Sequence, residues 1–454
     1  MLSRGARRTP ISSDVTLPNV SAISSSSDRP VRIGLLGCGT VGQAFARTIA
    51  EQGATIARAS GRRLEIGPVL VRDASRSRAG VRPAQLTTDP QDVLSDPDVD
   101  VIVEVMGGLE PTATYLRQAL QAGRPVVTAN KQLLSRHGAE LLTLAETSGT
   151  ELRFEASACA AIPVIKVLRE SMLAAEISAL TGIVNGTTNY ILTEMARRGL
   201  SYAEALRQAQ DLGYAEADPT EDVGGADAAA KMAILASIAF HTNVHFDDVA
   251  YEGIDGVHAE DLELARDLGF VVKLLGVARL ADGGISVRVH PALVPERHRL
   301  AAIMGPDNAV LLESGTVRQI MLVGPGAGGT ETASAVLADV LSILGTAKGS
   351  FLQNALVDAG RPLVDPDQTE SAFYVRLKVA DRPGVLAQIA TVFAEAGLSI
   401  SSVIQRGEGD AARLVLVTHV GSEARMNAAV RAMRGMPDVR GEPVLLRLLA
   451  GDVG

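Results

Sequence analysis

The 454-residue chain is 46% hydrophobic and 3% aromatic, has no Trp and two Cys, and carries a formal net charge of -9. That length and apolar content support several cored domains; the acidic balance and scarcity of stacking rings exclude nucleic acid and anionic membrane as main partners. No apolar run is long enough to span a bilayer, and Cys38 and Cys159 make no disulfide framework, so a reducing, cytoplasmic setting is expected.

Residues 1–29 hold a serine run (Ser24–Ser27), four arginines and two acids. Pro10 and Pro18 interrupt any amphipathic helix and no signal-type apolar core is present, so a disordered tail is expected. Val31–Leu36 (VRIGLL) reads as a buried strand and runs directly into Gly37-Cys38-Gly39-Thr40-Val41-Gly42 and a helical pattern. Gly37 allows the turn, Gly39 lets backbone approach a pyrophosphate, and Gly42 lets helix and strand pack closely. Thr40 and Val41 open the helix, whose unpaired N–H groups suit phosphate. This is a dinucleotide site. The next strand, Leu64–Val71, ends in Arg72-Asp73, with Arg76 and Arg78 following. An acid there favours the ribose hydroxyl of NAD and arginines favour the 2′-phosphate of NADP; because Arg72 directly follows the strand, NADP is expected, with NAD possible.

Val99–Met106 is a further strand, followed by Gly107-Gly108 and a helix from Pro111 to Ala122; Pro125–Thr128 leads into Ala129-Asn130-Lys131. The alternation predicts an α/β, Rossmann-type doubly wound parallel sheet. Gly107, Thr128, Asn130 and Lys131 fall just beyond its strand C-termini, where ligands bind. Lys131 there either polarises a carbonyl or is a surface cation at a helix start. Glu151–Glu155 is the next strand, then comes the small-residue run Ala156–Pro163 and a helix leaving the nucleotide domain.

Leu180–Val184 is a strand, Asn185–Asn189 a polar turn capping a helix through Arg198, and Ser201–Leu212 a second helix. It delivers Ala209–Lys231, with six carboxylates and one lysine. Gly213, Pro219, Gly224 and Gly225 delay a continuous helix to Ala226. Asp227 and Lys231 then lie one turn apart on one face, with Glu216 in the loop before them. Two acids beside a lysine can grip an ammonium and supply a proton; the same residues also suit a solvated helix start. Asp218 and Asp222 are expected to do turn and capping work.

Residues 287–294, 309–314 and 317–324 read as an antiparallel set of an α+β substrate and dimerisation domain. The glycine turn Gly324–Gly329, including Gly326, feeds a helix over Thr332–Leu344 that returns the chain to the nucleotide domain. The expected organisation is a nucleotide domain over 30–160 with a return segment 324–347, a substrate domain over 161–323, a linker over 348–370, and a βαββαβ ferredoxin-like unit over 371–449.

From Val31 to about Leu449 the chain resembles homoserine dehydrogenase in its bacterial form with a C-terminal ACT domain. The spacing Ala209-x3-Gly213-Tyr214-Ala215-x2-Asp218-Pro219-x2-Asp222-Val223-x-Gly225-x-Asp227-x3-Lys231 satisfies that family's pattern throughout. GGLEP (107–111), TANK (128–131), NGTTNY (185–190), GPGAGGTETASAV (324–336) and the DRPGVLAQIA turn (381–390) support it. The resemblance implies reversible reduction of L-aspartate 4-semialdehyde to L-homoserine by NAD(P)H, on the route to threonine and methionine. It makes Glu216 and Asp227 the acids for the substrate ammonium, Lys231 the general acid and Lys131 a helper at the carbonyl near the nicotinamide. Gly326 joins the cofactor contacts.

The family's ion-binding turn, near EAxVxGGIP, reads Glu155-Ala-Ser-Ala158-Cys159-Ala160-Ala161-Ile162-Pro163 here. A sodium-type site from the Glu155 region and the carbonyls of Ala158, Ala160 and Ile162 survives this change, because carbonyls need no particular side chain. It fails if a replaced glycine needed positive φ and the turn therefore differs. The resemblance further implies a homodimer or homotetramer and threonine as effector at the Asp381–Gly384 turn. Two other readings stay open from the residues: a thiol-dependent semialdehyde dehydrogenase with Cys159 as nucleophile, and a non-catalytic amino-acid sensor.

Overall fold

The computed structural model describes residues 29–60, 62–345, 362–407 and 412–449. The tail to residue 28 and most of the 348–370 linker lie outside the described residues.

The first unit runs β1 (Val31–Leu36), α1 (Thr40–Ser60), β2 (Leu64–Leu70), β3 (Leu86–Thr87), α2 (Gln91–Leu94), β4 (Val101–Glu104), α3 (Thr112–Gln121), β5 (Val126–Thr128), α4 (Lys131–Thr147) and β6 (Leu152–Arg153). Its six strands form one parallel sheet, β3-β2-β1-β4-β5-β6. Ile33, Leu35 and Leu36 of β1 and all of β4 and β5 are buried, as strands covered by helices on both faces must be. β1 and β4 are neighbours although β2 and β3 intervene in sequence, so the crevice opens where the strand order reverses.

The second unit holds α5 (Val164–Lys166), β7 (Ile177–Ile183), α6 (Gly186–Arg198), α7 (Tyr202–Asp211), α8 (Thr220–Val223), α9 (Ala226–Phe240), β8 (Ala250–Tyr251), α10 (Ala259–Asp267), β9 (Phe270–Ala281), β10 (Gly284–Pro295), β11 (Asp307–Ser314) and β12 (Arg318–Pro325). Helix α9 is buried on nearly every side. Its Ala-rich run lets α4, β9 and β10 approach closely, and a Cβ at Gly276 of β9 would fall 2.4 Å from Met232 of α9. The antiparallel set differs from the expected one. β11 pairs with β12 and β7, whereas β10 pairs with β9, a strand the sequence pattern did not reveal.

Helix α11 (Gly329–Gly345) packs on α1, and its Ala333, Val336 and Val340 share the core of β1, β4 and β5. The last unit, β13 (Glu370–Val379), α12 (Val385–Glu395), β14 (Ile400–Arg406), β15 (Ala412–Thr418), β16 (Gly421–Ser422), α13 (Glu423–Arg434) and β17 (Val439–Leu448), has the ferredoxin-like strand order β17-β13-β15-β14. It is not a detached module. β17 pairs in parallel with β10 through Ala292 and Leu293, so one sheet of 11 strands crosses both units.

Candidate active site

Two clefts meet at the C-terminal rim of the parallel sheet. The first, of about 880 Å³, is lined by Gly37, Gly39 and Thr40, by Arg72, Asp73, Arg76 and Arg78 after β2, and by Gly107 and Gly108 after β4. The second, of 450 Å³, shares Val105, Met106 and Gly107 with it and adds Val41, Lys131, Ala158, Ala160, Glu216, Lys231 and Gly326. Residues from seven separate sequence stretches thus face the second cleft.

The dinucleotide motif has the geometry its chemistry needs. Gly37 turns at φ 95°, a Cβ at Gly42 would lie 2.7 Å from the Gly37 carbonyl, and a Cβ at Gly39 would meet nothing within 4 Å. Bare backbone and the α1 N-terminus therefore face the first cleft, which fits a pyrophosphate. The second glycine turn closes on it: a Cβ at Gly329 would fall 2.8 Å from Thr40 Cγ2, and one at Gly326 would strike the buried Asn308 amide. Buried Glu104, missed in the sequence, accepts N–H bonds from Met106 (2.7 Å) and Gly107 (3.0 Å) and so fixes the Gly107 turn. Thr128 does not line the cleft. It is fully buried, donates to Glu104 and accepts from the Asn130 N–H, so its work is to brace the turn. Asn130 caps α4 through Leu133 N and donates to the Gly108 carbonyl at 2.7 Å, setting Lys131 at the first helical position.

The catalytic candidates converge on Asp227, at the start of α9. One carboxylate oxygen pairs with Lys131 Nζ; the other receives Lys231 Nζ at 2.8 Å and Asn185 Nδ2 at 2.8 Å. Asp227 and Lys231 are buried, while Lys131 remains partly open. Burial alone would raise the Asp227 pKa, but the Lys231 and Lys131 ammoniums outweigh it and hold the carboxyl well below the usual range. The Asp227 carboxylate in turn raises Lys131, against desolvation. Lys231 also donates to the Val184 carbonyl at 2.8 Å, so two of its three donors are committed and one is left for a ligand. Asp222 accepts from Asn185 Nδ2 at 2.7 Å, which places it closer to the site than capping work implies, and Asp218 makes the expected turn with Thr220. Glu216 is exposed on the cavity wall.

The 155–163 turn keeps a left-handed residue without a glycine: Ala160 sits at φ 43°. Ala158 and Ala160 line the cavity, whereas the Ile162 carbonyl accepts from Val164 N at 2.8 Å. Both Glu155 side-chain oxygens accept backbone N–H bonds, from Ile165 and Lys166 at 2.8 Å each, so the side chain serves the start of α5. Cys159 is fully buried and its thiol is pushed up to about 11 by burial, the reverse of an activated nucleophile.

Three family models match the chain: "Homoserine dehydrogenase, NAD binding domain" over residues 37–155, "Homoserine dehydrogenase" over 163–341 and "ACT domain" over 373–438. The homoserine dehydrogenase of Corynebacterium glutamicum is 42% identical over 424 residues, covering 92% of this chain and 95% of its own. The chain belongs to the homoserine dehydrogenase family. A solved homoserine dehydrogenase from Thiobacillus denitrificans superposes with a TM-score of 0.87 at 39% identity, over 93% of this chain and 98% of its own. A hyperthermophilic archaeal homoserine dehydrogenase, solved in complex with NADPH, gives 0.59 at 26% identity over 70% of this chain and 99% of its own. As a member of the homoserine dehydrogenase family the chain is an oxidoreductase acting on a CH–OH group, with a nicotinamide-binding domain and a C-terminal ACT domain. Among the described residues no helix is long and apolar enough to cross a membrane.

Proposed function

We propose that the chain interconverts L-aspartate 4-semialdehyde and L-homoserine with NADP(H) in preference to NAD(H), on the route to threonine and methionine. The observation that carries this is Asp227 bridging the Lys131 and Lys231 ammoniums at the rim of a dinucleotide cleft. When bound, the nicotinamide supplies or accepts the hydride. The chain supplies the proton: Lys231, with one donor free, protonates the alkoxide that forms at the aldehyde oxygen, and it takes the proton back in the reverse direction. Lys131 adds a second positive charge. Asp227, with its oxygens already engaged by lysines and Asn185, organises those cations; exposed Glu216 is the acid left for the substrate ammonium.

NADP is favoured by Arg72, Arg76 and Arg78 along the cleft after β2. The only acid among them, Asp73, is turned onto Ser75 through 3.0 Å and 2.6 Å bonds. The archaeal relative's complex with NADPH agrees. A sodium-type ion is proposed at this turn, on the Glu155 region and the backbone carbonyls of Ala158, Ala160 and Ile162. Threonine is the proposed effector at the Asp381–Gly384 turn, in a homodimer or homotetramer. The test is direct: aspartate 4-semialdehyde and NADPH are incubated with the full chain, and homoserine is sought by mass spectrometry. Formation of homoserine faster with NADPH than NADH supports the reading, and its absence with both cofactors contradicts it.

A further inference from the structure

Asn185 is the N-cap of α6, and the residue is 3% exposed. Its Oδ1 accepts from the Thr188 N–H (2.8 Å) and the Thr188 hydroxyl (2.9 Å). Because a backbone N–H can only donate, those bonds fix the amide orientation and turn Nδ2 the other way. Nδ2 has two hydrogens and two acceptors, Asp222 Oδ1 at 2.7 Å and Asp227 Oδ2 at 2.8 Å. A neutral donor thus stands between two carboxylates that would otherwise repel. The residue before it, Val184, holds Lys231 Nζ through its carbonyl. One two-residue step of backbone therefore grips both members of the Asp227–Lys231 pair.

We propose that Asn185 is a positioning residue for proton transfer, a clamp that fixes Asp227 and hence aims the free donor of Lys231. The inference rests on the proposed function. The charged and titratable groups facing the clamp are Asp222 from α8, Asp227 and Lys231 from α9 and Lys131 from α4, with the Cys159 thiol within their field. Aspartate at this position keeps the Thr188 acceptor. It can donate one hydrogen bond when protonated and none when ionised, when it also adds a third negative charge.

The test compares Asn185→Asp and Asn185→Ala with the wild-type chain. In Asn185→Ala, kcat for homoserine oxidation is expected to fall roughly 100-fold, the scale of a misplaced catalytic group, with the KM for NADP⁺ within about twofold of wild type. Asn185→Asp is expected to lose progressively more activity, relative to wild type, as the pH rises from about 6 to 9, while the Asn185→Ala ratio stays flat. Amide exchange over residues 218–231 of the cofactor-free protein is expected to quicken in Asn185→Ala. Wild-type kcat in Asn185→Ala overturns the clamp. So do equal, pH-independent losses in both variants accompanied by a parallel rise in the KM for NADP⁺, which mark a structural cap. Where the wild-type chain itself shows no homoserine oxidation, the functional reading fails instead, and unchanged exchange over 218–231 overturns the clamp independently.

Discussion

At the scale of single residues, the site assigns different kinetic signatures to neighbouring groups. Lys231→Met is expected to lower kcat by about 10²–10⁴-fold, the usual contribution of a positioned proton donor. Glu216→Ala is expected to act mainly on the KM for homoserine, since the role proposed for this exposed acid is to hold the substrate ammonium rather than the reacting oxygen. Cys159→Ser is expected to leave most activity intact, because a thiol raised to about 11 and fully buried holds no thiolate at working pH. Steady-state kinetics on the three variants checks all of this, and a silent Lys231→Met would reassign the proton donor. Asp227 and Lys231 were legible in the sequence because a four-residue spacing on a helix guarantees one face. Asn185 was legible only as a cap. Its second role depends on two acids 37 and 42 residues away, a distance over which sequence spacing says nothing.

At the scale of elements, the missed strand β9 explains itself. Its pattern FVVKLLGVARLA contains Lys273 in an apolar run and Gly276, and neither suits a buried strand on sight. Gly276 is needed where β9 crosses α9. Lys273 is buried, donates to Asn189 Oδ1 at 2.9 Å and to the Ile303 carbonyl, and is pushed down to about 8 by desolvation. The second asparagine of the NGTTN turn thus holds the 303–307 loop, through Gly305 and Asp307 carbonyls, while the first serves the site. Between about 8 and the ordinary lysine value the unfolded chain binds more protons than the folded one, so this group makes stability rise with pH across that window. Lys273→Met removes the effect. Urea unfolding at pH 7.5 and 9.5 should show wild type gaining on the order of 1–2 kcal/mol relative to Lys273→Met at the higher pH; a pH-independent difference would contradict the assignment.

At the scale of the whole molecule, the ferredoxin-like order was legible from alternation and turn residues, but its attachment was not. The β10–β17 pairing joins residues about 155 positions apart, and it is reinforced by side chains that read individually as surface charges. Glu423 is buried between Arg288 Nη1 at 2.8 Å and Arg447 Nε at 3.1 Å, and Arg447 reaches Glu252 at 2.6 Å. Asp261 of α10 accepts from Tyr374 and Arg376 of β13. Glu423→Ala leaves two arginines without their shared carboxylate and is expected to cost about 3–5 kcal/mol, read as a lower melting temperature and faster proteolysis of the ACT unit; unchanged melting would show that β17 pairing alone secures it. The proposed activity turns on one cation-organised carboxylate beside a dinucleotide cleft. Its most direct measurement is homoserine-dependent reduction of NADP⁺ by the full chain at alkaline pH, with NAD⁺ in parallel and Asp227→Asn as control. The expected result is robust reduction of NADP⁺ by wild type and near-complete loss in Asp227→Asn. No reduced cofactor from either nucleotide, or full activity without the Asp227 carboxylate, would contradict it.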